Sequence, residues 1–160
     1  MDRRLLIAGL LTLGLAACGK KSSPKVIGPN EVFLEKNKTE AGVKTTASGL
    51  QYRIVRANPT GQQAKLGDEV KVNYEGTLID GTVFDSSYAS GQPVIFPLDN
   101  LVKAWLEAIP MMRVGEEWIV VAPPELGYGE RGSPSIPPGS VLVFRIELLG
   151  ILPAPQRGLA

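Results

Sequence analysis

The chain of 160 residues contains no histidine and a single cysteine, Cys18. Without histidine, Ser-His-Asp and Cys-His nucleophiles and zinc sites built on imidazole are excluded, and one cysteine cannot form a disulfide within the chain. The charge is almost balanced, with 17 Lys and Arg against 16 Asp and Glu, so no basic surface indicates nucleic acid as a partner. An acidic loop of the EF-hand type is also lacking. We therefore predict a protein that acts without a metal ion, a cofactor or an activated nucleophile.

The amino terminus has the layout of a secretory signal. Two arginines precede an apolar run over residues 5–17, which is shorter than the roughly 20 residues that a membrane-spanning helix needs. The tetrapeptide Leu-Ala-Ala-Cys that ends at Cys18 resembles a bacterial lipobox. That resemblance implies a signal peptide over residues 1–17, a lipid on Cys18 and, with Gly19 in place of aspartate, an outer-membrane anchor facing the periplasm or the cell surface. The alternative is a signal peptide with a cysteine near its cleavage site by chance.

Beyond the signal, composition predicts a tether, one domain and a short tail. Residues 18–48 are rich in polar residues, which predicts a lipidated tether with a short helix from Asn30, as N-cap, to Asn37. Residues 49–151 are enough for one compact domain with its own core. Residues 152–160 are left as a carboxyl-terminal tail.

The domain is predicted to consist mostly of strands. Alternation of apolar and polar residues indicates strands over residues 50–57, 69–78, 82–86, 94–96, 117–121 and 141–149, with a hairpin turn at residues 78–81. Helical spacing occurs only after Asp99, a candidate N-cap, and Pro110 limits that helix. We predict an α+β fold in which a twisted antiparallel sheet wraps around one short α-helix.

The adjacent residues Phe84 and Asp85 give the first indication of a site. A carboxylate is rarely buried without a partner, so an aromatic residue beside it favours the wall of an apolar pocket with one polar group. The alternative is that Phe84 is an ordinary core residue and Asp85 a turn residue.

Two more aromatic residues and a proline loop extend this pattern. Trp105 lies on the predicted helix, where its indole would form a cavity floor or simply fill the core. Tyr128 lies between glycines on a loop, where its hydroxyl would reach over a pocket or stay exposed. Ile136 begins an Ile-Pro-Pro-Gly segment that leads into the last strand. Each signal is weak alone, and their order along the chain is specific.

In this order the motifs resemble the FKBP family of peptidyl-prolyl isomerases, from Gly49 to Gly150. The segments that carry the resemblance are VNYEG at residues 72–76, GTVFDSS at 81–87, VKAW at 102–105, VG at 114–115, PELGYG at 124–129, IPP at 136–138 and VLVF at 141–144. Residues 33–35 and 48–52 resemble the secreted bacterial members that are related to macrophage infectivity potentiators.

The resemblance implies peptidyl-prolyl cis-trans isomerase activity, proline-containing polypeptides as substrates and macrolides as inhibitors. Trp105 would be the floor of the proline pocket and Phe84 and Phe144 its walls, while the Tyr128 hydroxyl and the Val102 backbone N–H would donate to a substrate carbonyl. The implied catalytic residues are Tyr74, Phe84, Asp85, Trp105, Tyr128 and Phe144. The implied substrate-binding residues are Val94, Phe96, Leu101, Val102 and Ile136.

The chain departs from the family pattern at two positions. Val94 stands where many members have an aromatic residue, and Ser133 replaces a frequent loop histidine. Asp85 is interpreted as orienting the pocket by hydrogen bonding and not as a base.

Two alternative functions stay open. One alternative function is a chaperone or proline-peptide-binding lipoprotein with little catalysis, because binding and isomerisation would use the same pocket. The other is a structural lipoprotein of the envelope.

Overall fold

A computed structural model of the chain describes residues 28–152. The strands are β1 Lys44–Thr45, β2 Gln51–Arg56, β3 Glu69–Leu78, β4 Val83–Ser86, β5 Val94–Pro97, β6 Glu117–Ala122 and β7 Leu142–Leu152. The helices are α1 Pro29–Asn37, α2 Ser87–Ser90 and α3 Lys103–Ala108, with 3-10 turns at Ile109–Met111, Pro124–Leu126 and Gly129–Arg131. The predicted signal peptide, Cys18 and almost all of the predicted tail lie outside the described residues.

The strands form one antiparallel sheet in the order β1-β2-β6-β7-β3-β4, and β5 also pairs with β3. Along β3 the buried side chains are Val70, Val72 and Tyr74, in the alternation that the sequence predicted. The turn between β3 and β4 is closed by a hydrogen bond of 3.0 Å from the Gly81 N–H to the Leu78 carbonyl. Gly81 has φ of 89°, in the region that favours glycine. The predicted α+β fold is confirmed.

Helix α3 packs against the core side of this sheet and buries Ala104, Trp105 and Ala108. The prediction that Asp99 caps it is wrong, because the helix begins four residues later, at Lys103. Backbone hydrogen bonds still hold Leu98 to the loop at residues 67–68, so the chain is only leaving the sheet when it reaches Asp99.

Helix α1 is docked on the sheet through the side chain of Gln51. The Gln51 amide donates to the Leu34 carbonyl at 3.0 Å and accepts from the Asn37 amide at 2.8 Å. Gly28, and not Asn30, is the N-cap, and its N–H donates to the Glu31 carboxylate at 2.8 Å. Asn30 instead donates to the Gly139 carbonyl at 2.6 Å. The stretch predicted as a tether is therefore packed against the domain from residue 28 onward.

Within residues 28–152, no helix has the length and apolar character needed to cross a membrane.

Candidate functional site

Between the sheet and α3 lies a cavity of about 240 Å³, which we call the aromatic cavity. Its walls come from strands β3, β4, β5 and β7, its floor from α3, and its rim from the loops on either side. It is lined by Tyr74, Phe84, Asp85, Phe96, Asn100, Leu101, Val102, Trp105, Tyr128 and Phe144.

Three aromatic rings hold the Trp105 indole from different sides. Tyr74, Phe96 and Phe144 meet it edge to face, with ring centroids 5.1, 5.6 and 5.7 Å away and interplanar angles of 84°, 87° and 83°. Such perpendicular pairs are the favoured arrangement of aromatic rings and each adds about 0.5–1.5 kcal/mol beyond burial. The indole, only 4% exposed, is thus fixed in orientation.

The Trp105 indole N–H is buried and has no hydrogen-bond partner among the described residues. Leaving such a donor unpaired costs about 1–3 kcal/mol, so unpaired donors are rare in protein interiors. No acceptor of the described residues therefore lies within hydrogen-bonding reach of the indole nitrogen.

A β-bulge explains why both Phe84 and Asp85 face this cavity. In a regular strand, successive side chains point to opposite faces of the sheet. Here Gly76 pairs with Asp85 whereas Thr77 pairs with Val83, so Phe84 is an extra residue in β4. Bulges are known to redirect side chains next to functional sites. The bulge lets a ring and a carboxylate that are adjacent in sequence line the same cavity.

Asp85 is tied to the wall of the cavity by Tyr74. The Tyr74 hydroxyl donates to Oδ2 of Asp85 at 2.7 Å. Burial, followed by this hydrogen bond and the nearby negative charge, raises the pKa of Tyr74 well above its ordinary value. Tyr74 therefore stays neutral and keeps its proton directed at Asp85, which leaves the carboxylate with a fixed partner.

Ser87 holds the start of α2 against β3 beside this pair. Its buried hydroxyl oxygen accepts from the Tyr74 backbone N–H at 2.9 Å and lies 3.3 Å from the Tyr74 carbonyl. Sequence reasoning did not give Ser87 a role, although its place two residues after Asp85 was an available signal.

The rim of the cavity carries two donors that are unused among the described residues. The Tyr128 side chain is 42% exposed, and its hydroxyl makes no hydrogen bond within that part of the chain. The Val102 N–H precedes the first turn of α3 and is likewise unpaired among residues 28–152. Asn100 also lies at the rim, and the sequence analysis missed it because an exposed amide on a loop carries no pattern.

Two of the residues that the resemblance placed around the pocket are not among those lining the cavity. Val94 pairs with Val72 at the opposite end of β5 from Phe96 and packs on the core. Ile136 is buried in the core, and its backbone forms hydrogen bonds of 3.0 and 2.8 Å with Ser133. The other nine predicted pocket residues all line the cavity.

No cluster of three or more His, Cys, Asp or Glu side chains that could hold a metal ion occurs within residues 28–152.

Sequence comparison shows the family to which the chain belongs. The family model of the FKBP-type peptidyl-prolyl cis-trans isomerase matches residues 60–149, and that of the domain amino terminal to it matches residues 16–54. The chain belongs to the FKBP-type peptidyl-prolyl cis-trans isomerases. The family predicted from the order of the motifs is confirmed.

Among its relatives is the peptidyl-prolyl cis-trans isomerase Mip of Coxiella burnetii, which is 50% identical over 123 residues, 76% of this chain and 53% of the relative. The FKBP-type 22 kDa peptidyl-prolyl cis-trans isomerase of Escherichia coli is 50% identical over 121 residues, 75% of this chain and 58% of the relative. The predicted relation to the Mip subgroup of FKBP-type isomerases is thus confirmed.

Solved structures agree with the family assignment. The crystal structure of FkpA from Escherichia coli superposes with a TM-score of 0.76 at 47% identity, covering 79% of this chain and 59% of that one. This chain spans about half the length of the curated relatives that it matches.

Proposed function

We propose that this FKBP-type chain accelerates cis-trans rotation about X–Pro bonds in polypeptides and holds the prolyl ring in the aromatic cavity. The observation that carries the proposal is the set of three rings packed edge-on around the buried Trp105 indole. A compact apolar ring gains most from a concave site of this kind, where a few polar groups at the rim fix its orientation.

The chemistry of amide rotation explains why an apolar cavity suffices. The barrier of about 18–20 kcal/mol arises from resonance in the C–N bond, which is lost when the amide is twisted. The twisted amide is less polar than the planar one, so an apolar site that fits it favours the transition state over the ground state. Lowering the barrier by about 5–8 kcal/mol would correspond to an acceleration of roughly 10⁴–10⁶-fold.

The unused donors at the rim would hold the substrate carbonyl. The Tyr128 hydroxyl and the Val102 N–H have no partners among the described residues, so each can donate to a bound peptide without breaking an existing bond. Asp85 accepts from Tyr74 and would keep the wall in place. No proton needs to be transferred when a bond only rotates, so we assign Asp85 an orienting role and not that of a base.

An isomerisation assay on a short X–Pro peptide tests this function. The purified full chain in detergent should accelerate the exchange, and a macrolide that fills the cavity should abolish the acceleration. If the chain binds proline peptides but leaves their exchange rate unchanged, the binding-only alternative is correct and the proposed activity is wrong.

We also propose that the chain is anchored to the bacterial cell envelope through a lipid on Cys18, at the outer membrane. The support is the lipobox-like sequence that ends at this cysteine, the only one in the chain. Stable anchoring needs more than one acyl chain, so the mature protein should carry several. Mass spectrometry of the membrane-extracted protein, with Cys18→Ser as control, checks both cleavage before residue 18 and acylation. An unmodified amino terminus would refute the anchor and leave the isomerase proposal untouched.

A further inference from the structure

We propose that Gly76 is a positioning residue for the isomerase site, because the space left by its missing side chain is where the Phe84 ring packs. The inference rests on the proposed function, since it concerns the wall that would hold the prolyl ring. It adds that the shape of the cavity depends on a residue that does not line it.

Gly76 occupies a core-facing position of β3. The buried side chains of this strand are Val70, Val72 and Tyr74, and the next position in the same alternation is Gly76. A large apolar side chain would continue the row. Glycine within a strand often marks a bulge or the close approach of another group.

Backbone conformation does not account for this glycine. Nine glycines of the described chain have positive φ, and Gly76 is not one of them. Its φ is therefore one that residues with a side chain adopt without strain. The requirement for glycine has to come from the space around it.

The Phe84 ring fills that space. A Cβ atom at residue 76 would lie 2.5 Å from Cζ and 2.6 Å from Cε2 of Phe84, and 3.2 Å from Cε1 of Phe144. Carbon atoms pack at about 3.5–4.0 Å, so the Phe84 ring would have to move by about 1 Å. The contact with Phe144 would need a shift of only a few tenths of an ångström.

The backbone at Gly76 cannot move away to relieve the clash. It pairs with Asp85 of β4 on one side and with Phe144 of β7 on the other. Phe84 is the extra residue of the bulge in β4, and its ring meets Phe144 edge to face at 5.8 Å. The ring is consequently the part that must yield, and its displacement changes the wall of the cavity.

A double-mutant cycle with Gly76→Ala and Phe84→Leu tests the inference. Gly76→Ala in the full chain should lower kcat/KM for an X–Pro peptide by about 10–100-fold, because misplacing a binding wall by about 1 Å costs up to this much. The loss should appear mainly in kcat if the wall acts on the twisted amide, and mainly in KM if it only binds. In the Phe84→Leu background, where the clashing atoms are gone, Gly76→Ala should change kcat/KM by no more than about twofold.

Gly150→Ala in the neighbouring strand β7 is the matched control. A Cβ atom there meets only Lys71 Cβ, at 4.0 Å, and kcat/KM should stay within about twofold of the parent. The inference is wrong if Gly76→Ala has the same kcat/KM as the parent chain. It is also wrong if Gly76→Ala lowers kcat/KM by the same factor in the parent chain and in the Phe84→Leu variant.

Urea unfolding of the four proteins of the cycle (the parent chain, the two single variants and the double variant) keeps the test independent of activity. If Gly76→Ala does not fold alone, the double variant should fold as well as Phe84→Leu does, and a double variant that also fails to fold refutes the steric explanation. A parent chain without isomerase activity refutes the proposed function, whereas this stability cycle still decides whether Gly76 makes room for Phe84.

Discussion

The aromatic cavity can be compared with a second cavity, of about 350 Å³, that lies between α1 and strands β2 and β6. We call it the helix-side cavity. It is lined by Phe33, Lys36, Asn37, Glu40, Ala41, Val43, Tyr52, Arg53, Ile119 and Val121. It is the larger of the two, but charged side chains from both α1 and β2 border it. Its Tyr52 ring is stacked on Trp118, with centroids 4.5 Å apart.

The chemistry of the lining, and not the volume, is the reason why we propose the aromatic cavity as the site. A prolyl ring bound between Lys36, Glu40 and Arg53 would compete with water for groups that prefer to stay hydrated. In the aromatic cavity the one carboxylate, Asp85, already has a hydrogen-bond partner, so an apolar ring displaces water from apolar surface. If the proposal is right, substitutions in the aromatic cavity should lower isomerase activity and substitutions in the helix-side cavity should not.

The largest effect is expected for Trp105→Ala, which removes the floor of the aromatic cavity. We expect kcat/KM to fall by about 100-fold or more and the free energy of unfolding to fall by roughly 3–5 kcal/mol, because a large buried ring leaves a void. Activity is measured at a temperature where urea unfolding shows that the variant is folded. The matched variant Phe33→Ala in the helix-side cavity should leave kcat/KM unchanged. Equal losses in the two variants would contradict the distinction between the cavities.

A smaller effect is expected for Asp85→Leu, which removes the acceptor of the Tyr74 hydroxyl. The hydroxyl is then left without its partner, at a cost of about 1–3 kcal/mol, and the wall loses its fixed orientation. We expect kcat/KM to fall by about tenfold while the domain stays folded.

The double variant Tyr74→Phe with Asp85→Leu separates this orienting role from a direct one. It removes both members of the pair and should recover part of the stability that Asp85→Leu loses. Turnover of Asp85→Leu equal to that of the parent chain would show that Asp85 has no role in the site.

Tyr128→Phe should affect activity only modestly and stability not at all. Its hydroxyl has no partner among the described residues, so its removal breaks no bond of the folded chain. Loss of one hydrogen bond to a substrate carbonyl is worth about 0.5–1.5 kcal/mol, which corresponds to a decrease in kcat/KM of about two- to tenfold. A measurable decrease in the urea midpoint would mean that the hydroxyl stabilises the folded chain and is not a free donor for the substrate.

Much of the fold follows from local patterns in the sequence. The alternation over Glu69–Leu78 predicted strand β3 with the bounds that the structure has, because one face of that strand is buried at four successive inward positions, from residue 70 to residue 76. The spacing around Trp105 predicted α3, but not its start. Asp99 had the right chemistry for an N-cap, yet it lies in a turn whose preceding residue, Leu98, is held by backbone hydrogen bonds to residues 67 and 68, and the helix begins only at Lys103.

The site could be predicted only in part, because parts of it depend on register. Phe84 and Asp85 were recognisable as an unusual pair, but a bulge that turns both toward one cavity leaves no periodic signal. The docking of α1 depends on Gln51, whose polar side chain gives no sign in the sequence of being buried. Val94 and Ile136 were expected around the pocket from family position alone; they belong to the same apolar cluster as the rings of the cavity but are not among the residues that line it.

The smallest effect concerns the electrostatics of the aromatic cavity and should appear at alkaline pH. The pKa of Tyr74 is raised in the folded chain, chiefly by burial, and Asp85 and Tyr128 add to the shift. Below the ordinary tyrosine pKa of about 10, both the folded and the unfolded forms carry the proton, so the contribution to stability is fully present. As the pH rises further, the unfolded chain ionises first and stability is lost.

Tyr74→Phe removes this proton from both states, so its urea midpoint should fall less between about pH 9 and about pH 11 than that of the parent chain. Tyr88→Phe serves as a comparison, since the pKa of Tyr88 is raised by partial burial but opposed by Arg145, and the change in slope should be smaller there. Tyr88 is also 40% exposed, which weakens every such shift. If Tyr74→Phe and the parent chain lose stability equally, the Tyr74 hydroxyl is not held neutral beside Asp85, and the aromatic cavity is wetter than its lining indicates.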